Sequence, residues 1–314
     1  MFLGTPAFAV PSLEALVRLR DKRKIELMAV VTQPDRPGHR GRITPPPVKE
    51  KAQELGIRVM QPEPLHGKGP RWQTAAMWDA VLHLHPDALV WAAYGGIVPK
   101  RVIDAVHGRA VNVHPSMLPR WRGADPVAHA ILAGDEMTGV TLMEGTADLD
   151  AGPIIVQVGL TIDPRPQTTG TLEAWLGAEG AKLLEGKLAE YLSGKIEPRH
   201  QDPGKITWAP KLDPKKGELD FSRPAEELVR IVGAYSPDPG AYTYFRGTRI
   251  QVQLASALQG PEAPVGTLVK DGPAAKAAVD WLRLDTVKPA GKRAMSGADW
   301  ARGLRDLDGA RLPS

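Results

Sequence analysis

The sequence predicts an α/β fold, an open and mostly parallel Rossmann-like sheet, followed by a smaller C-terminal β-barrel domain of OB-like type. Three observations predict it. The first half of the 314 residues alternates short β-branched runs with amphipathic helical runs, and strand, helix, strand repeated in this way builds a parallel sheet with helices on both faces. The last third alternates apolar and polar residues in period two between turn signals, as small barrels and sandwiches do. Between them runs a stretch rich in Pro, Lys and Gly with the character of a linker or extended arm.

Taken in chain order, "PSLEALVRLR" reads as the first helix, "IELMAVVTQ" as a strand and "PPVKEKAQELG" as a second helix. A third helix is expected over "GKGPRWQTAAMWDAVLHLHP", then the strands "DALVWAAYG", "RAVNVHP" and "GVTLMEGT". A long helix covers "TLEAWLGAEGAKLLEGKLAEYLSG", and the linker-like "KIEPRHQDPGKITWAPKLDPKKG" follows it. "ELDFSRPAEELVRIVGAY" reads as a strand leading into a helix, and "GAYTYFRGTRIQVQLASAL", "PVGTLVKD" and "AAVDWLRLDTV" as the barrel strands. The expected division is a catalytic domain over 1–196, a linker over 197–210 and a barrel over 211–314.

Composition excludes several classes of function. With no cysteine there are no disulfides, thiolate nucleophiles or thiolate metal sites, so catalysis falls to His, Asp, Asn, Ser or Lys. The longest apolar runs, such as "DALVWAAYGGIVP", are shorter than the roughly 20 residues that cross a bilayer. No basic-then-apolar leader precedes the first strand, and the expectation is a cytoplasmic, membrane-free protein acting as a monomer. A formal charge of +4 and a pI near 9.2 are compatible with a polyanionic partner without requiring one.

The segment "VNVHPSMLPRWRGADP" carries the chemistry. Side chains alternate along a strand, so Asn112 and His114 face the same side, at the carboxyl end where open α/β sheets bind ligands. Asp150 stands in the turn "ADLDAGPI" after the next strand. An amide and a protonated imidazole can stabilise an oxyanion while a carboxylate orients the imidazole, an arrangement suited to acyl transfer onto a substrate that brings its own amine. Spacing alone is equally consistent with a structural histidine and a turn-forming aspartate.

These residues resemble the 10-formyltetrahydrofolate-dependent formyltransferases. "LGTPAFAVPSLEAL", "VVTQPDRPGHRGR", "AAYGGIVPK", "HPSMLPRWRG", "LDAG", "APKLDPKKGELDF" and "KPAGKRAMSGADW" are similar, in order, to segments of the branch that acts on methionyl-tRNA. The resemblance implies that Asn112, His114 and Asp150 form the catalytic trio and that Ser116, Met117, Leu118 and Pro119 contact the folate. It also implies 10-formyltetrahydrofolate as co-substrate, methionyl initiator tRNA as partner and no metal. Three departures accompany it: Met117 where relatives have Leu, Asp148 where a small residue is common, and Pro153 where Asp is frequent. Relatives generally carry several more residues before the first glycine, so the first strand reads as clipped.

Arg36, Arg40 and Arg42 are concentrated in "QPDRPGHRGRITPPPVK", which the resemblance makes the tRNA-engaging loop. Arginine suits that role because its planar fork binds phosphates bidentately and stacks on bases. Lys211 and Lys215 in the arm are further candidates for the same partner. Arg120 and Arg122 fit two readings, substrate contact and structural pairing. "FLGTP" lacks the GxGxxG fingerprint, which argues against a nicotinamide dehydrogenase. The rivals are formyltransferases acting on small amines, formyltetrahydrofolate hydrolases and a non-catalytic RNA-binding module.

Overall fold

Among the described residues, ten short strands mark the first two thirds of the chain: β1 (Phe2–Gly4), β2 (Val30–Val31), β3 (Arg36–Pro37), β4 (Ile43–Thr44), β5 (Val59–Met60), β6 (Leu89–Ala92), β7 (Ala110–His114), β8 (Arg122–Gly123), β9 (Met137–Glu144) and β10 (Ile154–Thr161). In the computed structural model, which describes residues 1–37, 43–61 and 75–313, seven of them form one sheet in the order β10-β9-β7-β6-β1-β2-β5. The pairs from β5 through β7 are parallel, and β9 runs antiparallel to β7. The expected mostly parallel sheet is therefore present. β3 and β4 pair separately as a two-stranded ribbon.

β1 is central, pairing Phe2 with Val30 on one side and with Val90 on the other. Its apolar residues are wholly buried, as a strand covered on both faces requires. The flanking helices are α1 (Val10–Asp21), α2 (Pro47–Glu54), α3 (Ala75–Leu82) and α4 (Lys100–Asp104). Trp78 of α3 packs edge-on against Tyr94 with ring centroids 6.2 Å apart, in a core that includes Leu3, Val31, Leu89 and Val102. Each fully buried aliphatic side chain there contributes roughly 1.5–3 kcal/mol.

Two further helices are α5 (Pro126–Ala133) and α6 (Thr169–Leu192). α6 can approach β7 closely because Gly180 has no side chain: a Cβ there would come within 2.9 Å of Cγ1 of Val113. That contact braces the strand carrying Asn112 and His114.

The rest of the chain holds β11 (Trp208–Ala209), α7 (Ala225–Tyr235), β12 (Ala241–Phe245), β13 (Thr248–Leu258), β14 (Leu268–Val269), β15 (Ala274–Lys276), β16 (Trp281–Pro289), β17 (Met295–Ser296) and α8 (Gly297–Arg302). β12 to β17 form the smaller C-terminal domain, an antiparallel sheet in the order β12-β13-β16-β15-β14 with β17 on β16. Register shifts around Leu254 bend β13, the device by which barrel strands curl. By internal contacts the chain divides into one unit of residues 1–123, 139–160 and 173–208, and a second of 124–138, 161–172 and 209 onward.

Among the described residues no helix is long and apolar enough to cross a membrane. Several elements differ from the sequence expectation. "IELMAVVTQ" yields only Val30–Val31 as strand, and the third helix is seen from Ala75, its expected start lying outside the described residues. α4 and β10 were not anticipated. "ELDF" makes one bridge, Glu218 to Tyr242, in place of a strand.

Candidate active site

β7 delivers Asn112 and His114 to the carboxyl edge of the parallel strands, and both are buried, at 7% and 4% exposure. Asp150 reaches them from the turn between β9 and β10. Its backbone is in the left-handed region at φ +48°, a conformation that a non-glycine residue holds only when its surroundings enforce it. The turn also depends on Gly152, where a Cβ would come within 1.8 Å of the Glu144 carbonyl oxygen.

From there the carboxylate serves three groups. Oδ1 accepts from Nδ2 of Asn112 at 3.3 Å and lies 3.6 Å from Nδ1 of His114. Oδ2 accepts from the Gly123 main-chain N–H at 2.9 Å. On its other side His114 places Nε2 2.9 Å from the carbonyl oxygen of Trp121. A carbonyl only accepts, so Nε2 carries a proton, and Nδ1 is the nitrogen that faces the carboxylate.

The turn over Ser116–Pro119 is held just as firmly. The Ser116 hydroxyl donates to the Arg120 carbonyl at 2.7 Å. Thr141 donates to the Ser116 carbonyl at 2.7 Å and accepts from the Leu118 N–H at 3.2 Å. Gln157 of β10 donates to the Leu118 carbonyl at 2.7 Å and to Thr141 at 2.8 Å, and its own Oε1 accepts from Arg199 at 2.6 Å. Leu118 is buried with Met143 and Ile154. Met117 folds back over Gly139, where a Cβ would come within 2.6 Å of its sulfur.

The arginines after the turn separate. Arg122 is 8% exposed and gives both Nε and Nη2 to Oε1 of Gln201, at 3.0 and 2.8 Å, which is structural pairing. The Arg120 guanidinium sits 4.3 Å from the centre of the Trp121 ring.

A buried amide, an imidazole and a carboxylate thus converge at a sheet edge beside a rigid turn, in a chain whose relatives are informative. Residues 2–186 match the formyl transferase family and residues 211–305 match the formyl transferase C-terminal domain. The methionyl-tRNA formyltransferase of Roseiflexus sp. (strain RS-1) is 42% identical over 317 residues, covering 99% of this chain and 94% of that protein. The chain belongs to the methionyl-tRNA formyltransferase family. The family member of Halorhodospira halophila is 41% identical over 314 residues, 98% of this chain and 97% of that protein. An N-formyltransferase from Helicobacter canadensis, solved with folinic acid and dTDP-3-aminofucose, shares the fold at a TM-score of 0.65 and 16% identity, over 90% of this chain and 96% of that one.

In this formyltransferase the remaining sequence candidates are dispersed. Arg36 is exposed on β3, with Nη2 3.5 Å from Oε1 of Gln33. Arg40 and Arg42 lie outside the described residues. Lys211 and Lys215 are exposed and belong to the second unit, the first turn at Lys215 being capped by Asp213. Sequence reasoning missed Thr141, Gln157 and Gln201. Gln157 had a signal, an amide inside the apolar run "IIVQVGLT"; Gln201 in "RHQDPGK" had none.

Proposed function

We propose that this enzyme transfers the formyl group of 10-formyltetrahydrofolate to the α-amine of methionine esterified to initiator tRNA, using Asn112, His114 and Asp150. The convergence of those three side chains at the sheet edge carries the reading, and the full-length similarity to methionyl-tRNA formyltransferases directs it to this acceptor. The donor set fits a formyl group, whose oxygen gains negative charge on attack: an amide and an imidazole face it with an acid behind them.

The folate supplies an activated formyl carbon when bound. Ser116, Met117, Leu118 and Pro119 hold it, their main chain kept rigid by Thr141 and Gln157. The neutral methionyl amine attacks. Asn112 gives one N–H to Asp150 and has a second for the formyl oxygen. His114 stands beside that oxygen, with Nε2 donating to the Trp121 carbonyl and Nδ1 3.6 Å from the Asp150 carboxylate. Nδ1 of His114, beside the Asp150 carboxylate, accepts the proton that the attacking nitrogen loses, which sets a positive charge beside the oxyanion; as the bond between the formyl carbon and N10 of the folate breaks, N10 takes a proton and tetrahydrofolate leaves.

The arginines of the 33–49 segment, Arg36, Arg40 and Arg42, together with Lys211 and Lys215, engage the tRNA backbone. Catalysis belongs to residues 1–196, whose 33–49 segment also meets the tRNA, and the rest of tRNA binding to 211–314, joined by 197–210, in a cytoplasmic enzyme acting as a monomer. Incubating the protein with 10-formyltetrahydrofolate and either charged initiator tRNA, small amines or water tests the reading. Formylmethionyl-tRNA as the product supports it; formylation of the small amines in preference, or formate release in water alone, overturns it.

A further inference from the structure

Gln201 lies in the Pro- and Lys-rich stretch that follows α6, yet it occupies the centre of a hydrogen-bond ring beneath the Asp150 turn. Oε1 accepts twice from the buried Arg122 guanidinium. Nε2 donates to the carbonyl of Asp150 at 2.9 Å and to that of Gly152 at 2.7 Å. Arginine only donates and carbonyls only accept, so these four contacts allow one orientation of the amide. The ring closes through the main chain, because Gly123, next to Arg122, donates to the Asp150 carboxylate. Register comes from nearby: Arg199 exchanges both main-chain hydrogen bonds with Ile154, at 2.7 and 2.9 Å, and a pair of that kind fixes which residue falls opposite the turn.

The Asp150 backbone is left-handed, and that conformation aims its carboxylate back at Asn112 and His114. Gln201 grips the two carbonyls that flank Ala151, so rotation of the turn toward an ordinary conformation breaks both donations. We propose that Gln201 is a positioning residue for formyl transfer, holding the Asp150 turn so that its carboxylate meets His114, with Arg122 as the anchor that fixes the amide's direction. The proposal rests on the assignment of Asp150 to the trio.

Gln201→Glu separates positioning from mere anchorage. It keeps, and adds charge to, the acceptor for Arg122, but it removes both donors and sets an oxygen against two carbonyls. A misplacement of about 1 Å in a reacting constellation can cost about 100-fold in rate. The expected result is a kcat lower by about 10- to 100-fold for Gln201→Glu and Gln201→Ala alike, with KM for formyl-folate and for charged tRNA changed less than about threefold. Hydrogen exchange of the Gly123 amide, whose partner is the Asp150 carboxylate, is expected to speed up in both variants while exchange in the β6 and β7 core is unchanged. Wild-type kcat in Gln201→Glu, or a loss confined to KM, overturns the proposal, and so does an unchanged Gly123 exchange rate. If the wild-type enzyme does not formylate charged tRNA, the functional reading fails, whereas the Gly123 exchange still decides whether Gln201 holds the turn.

Discussion

Nδ1 of His114 lies 3.6 Å from Oδ1 of Asp150, within ion-pair range but beyond a direct hydrogen bond. The carboxylate's short contacts go instead to the Gly123 N–H, so its first effect on the imidazole is through charge. Asp150→Asn keeps a side-chain oxygen for Gly123 and removes that charge. A fall in kcat of about 100-fold or more is expected, the scale of lost acid–base or electrostatic help, with an intact fold. Steady-state kinetics with saturating substrates checks this, and near-normal turnover removes Asp150 from the chemistry.

The cationic loop makes a separate prediction. Arg40→Ala combined with Arg42→Ala should weaken use of charged initiator tRNA by roughly 2 to 4 kcal/mol, on the scale of two charged hydrogen bonds. Each lost phosphate contact also flattens the salt dependence. Formyl-folate affinity should hardly move. A salt series of kcat/KM for tRNA reads this directly, and wild-type slopes would return the loop to plain surface and shift tRNA recognition to Lys211, Lys215 and the C-terminal domain.

Two glycines should respond in opposite directions to the same change. At Gly152 a Cβ would sit 1.8 Å from a main-chain oxygen, so Gly152→Ala must displace the Asp150 turn, at a cost of about 1–3 kcal/mol in stability and with loss of turnover. Gly186 is an exposed position of α6 with nothing within 4 Å of a Cβ, and Gly186→Ala should stabilise by roughly 0.5–1 kcal/mol. Urea denaturation of the two variants is the measurement. Equal effects would contradict the packing described for the turn.

Glu185 ties α6 to α1 by accepting from Lys22 and Arg18, both at 2.7 Å. Those hydrogen bonds, from Lys22 first and Arg18 second, hold its carboxyl down at about 2. A depressed carboxylate stabilises the fold above its unfolded value, near 4.5, and loses that contribution as the pH falls toward 2. The Tm difference between wild type and Glu185→Gln should therefore be present at neutral pH and close on acidification. A gap that widens below pH ~4 would reverse the sign.

Much of the site was legible because strands have period two. Asn112 and His114 share a face by that rule alone, and an open α/β sheet puts ligands at their end of it. The barrel strands β13 and β16 were visible for the same reason, since their burial alternates over much of their length. Gln201 and the ordering of residues 197–208 were not legible. Pro, Lys and Gly give that stretch a linker's composition, whereas its conformation is set by long-range bonds to Ile154, Asp150 and Gly152 that no local pattern records. Gln157 was obscured differently: β10 is only partly buried, and a polar residue on a partly solvated strand is ordinary.

The most direct test of formyl transfer at this site is single-turnover kinetics with formyl-folate in excess over charged initiator tRNA, comparing wild type with His114→Ala. Formylmethionyl-tRNA is expected from the wild-type enzyme and a rate at least about 100-fold lower from His114→Ala, with the same amount of tRNA bound. Equal single-turnover rates in the two proteins would contradict it.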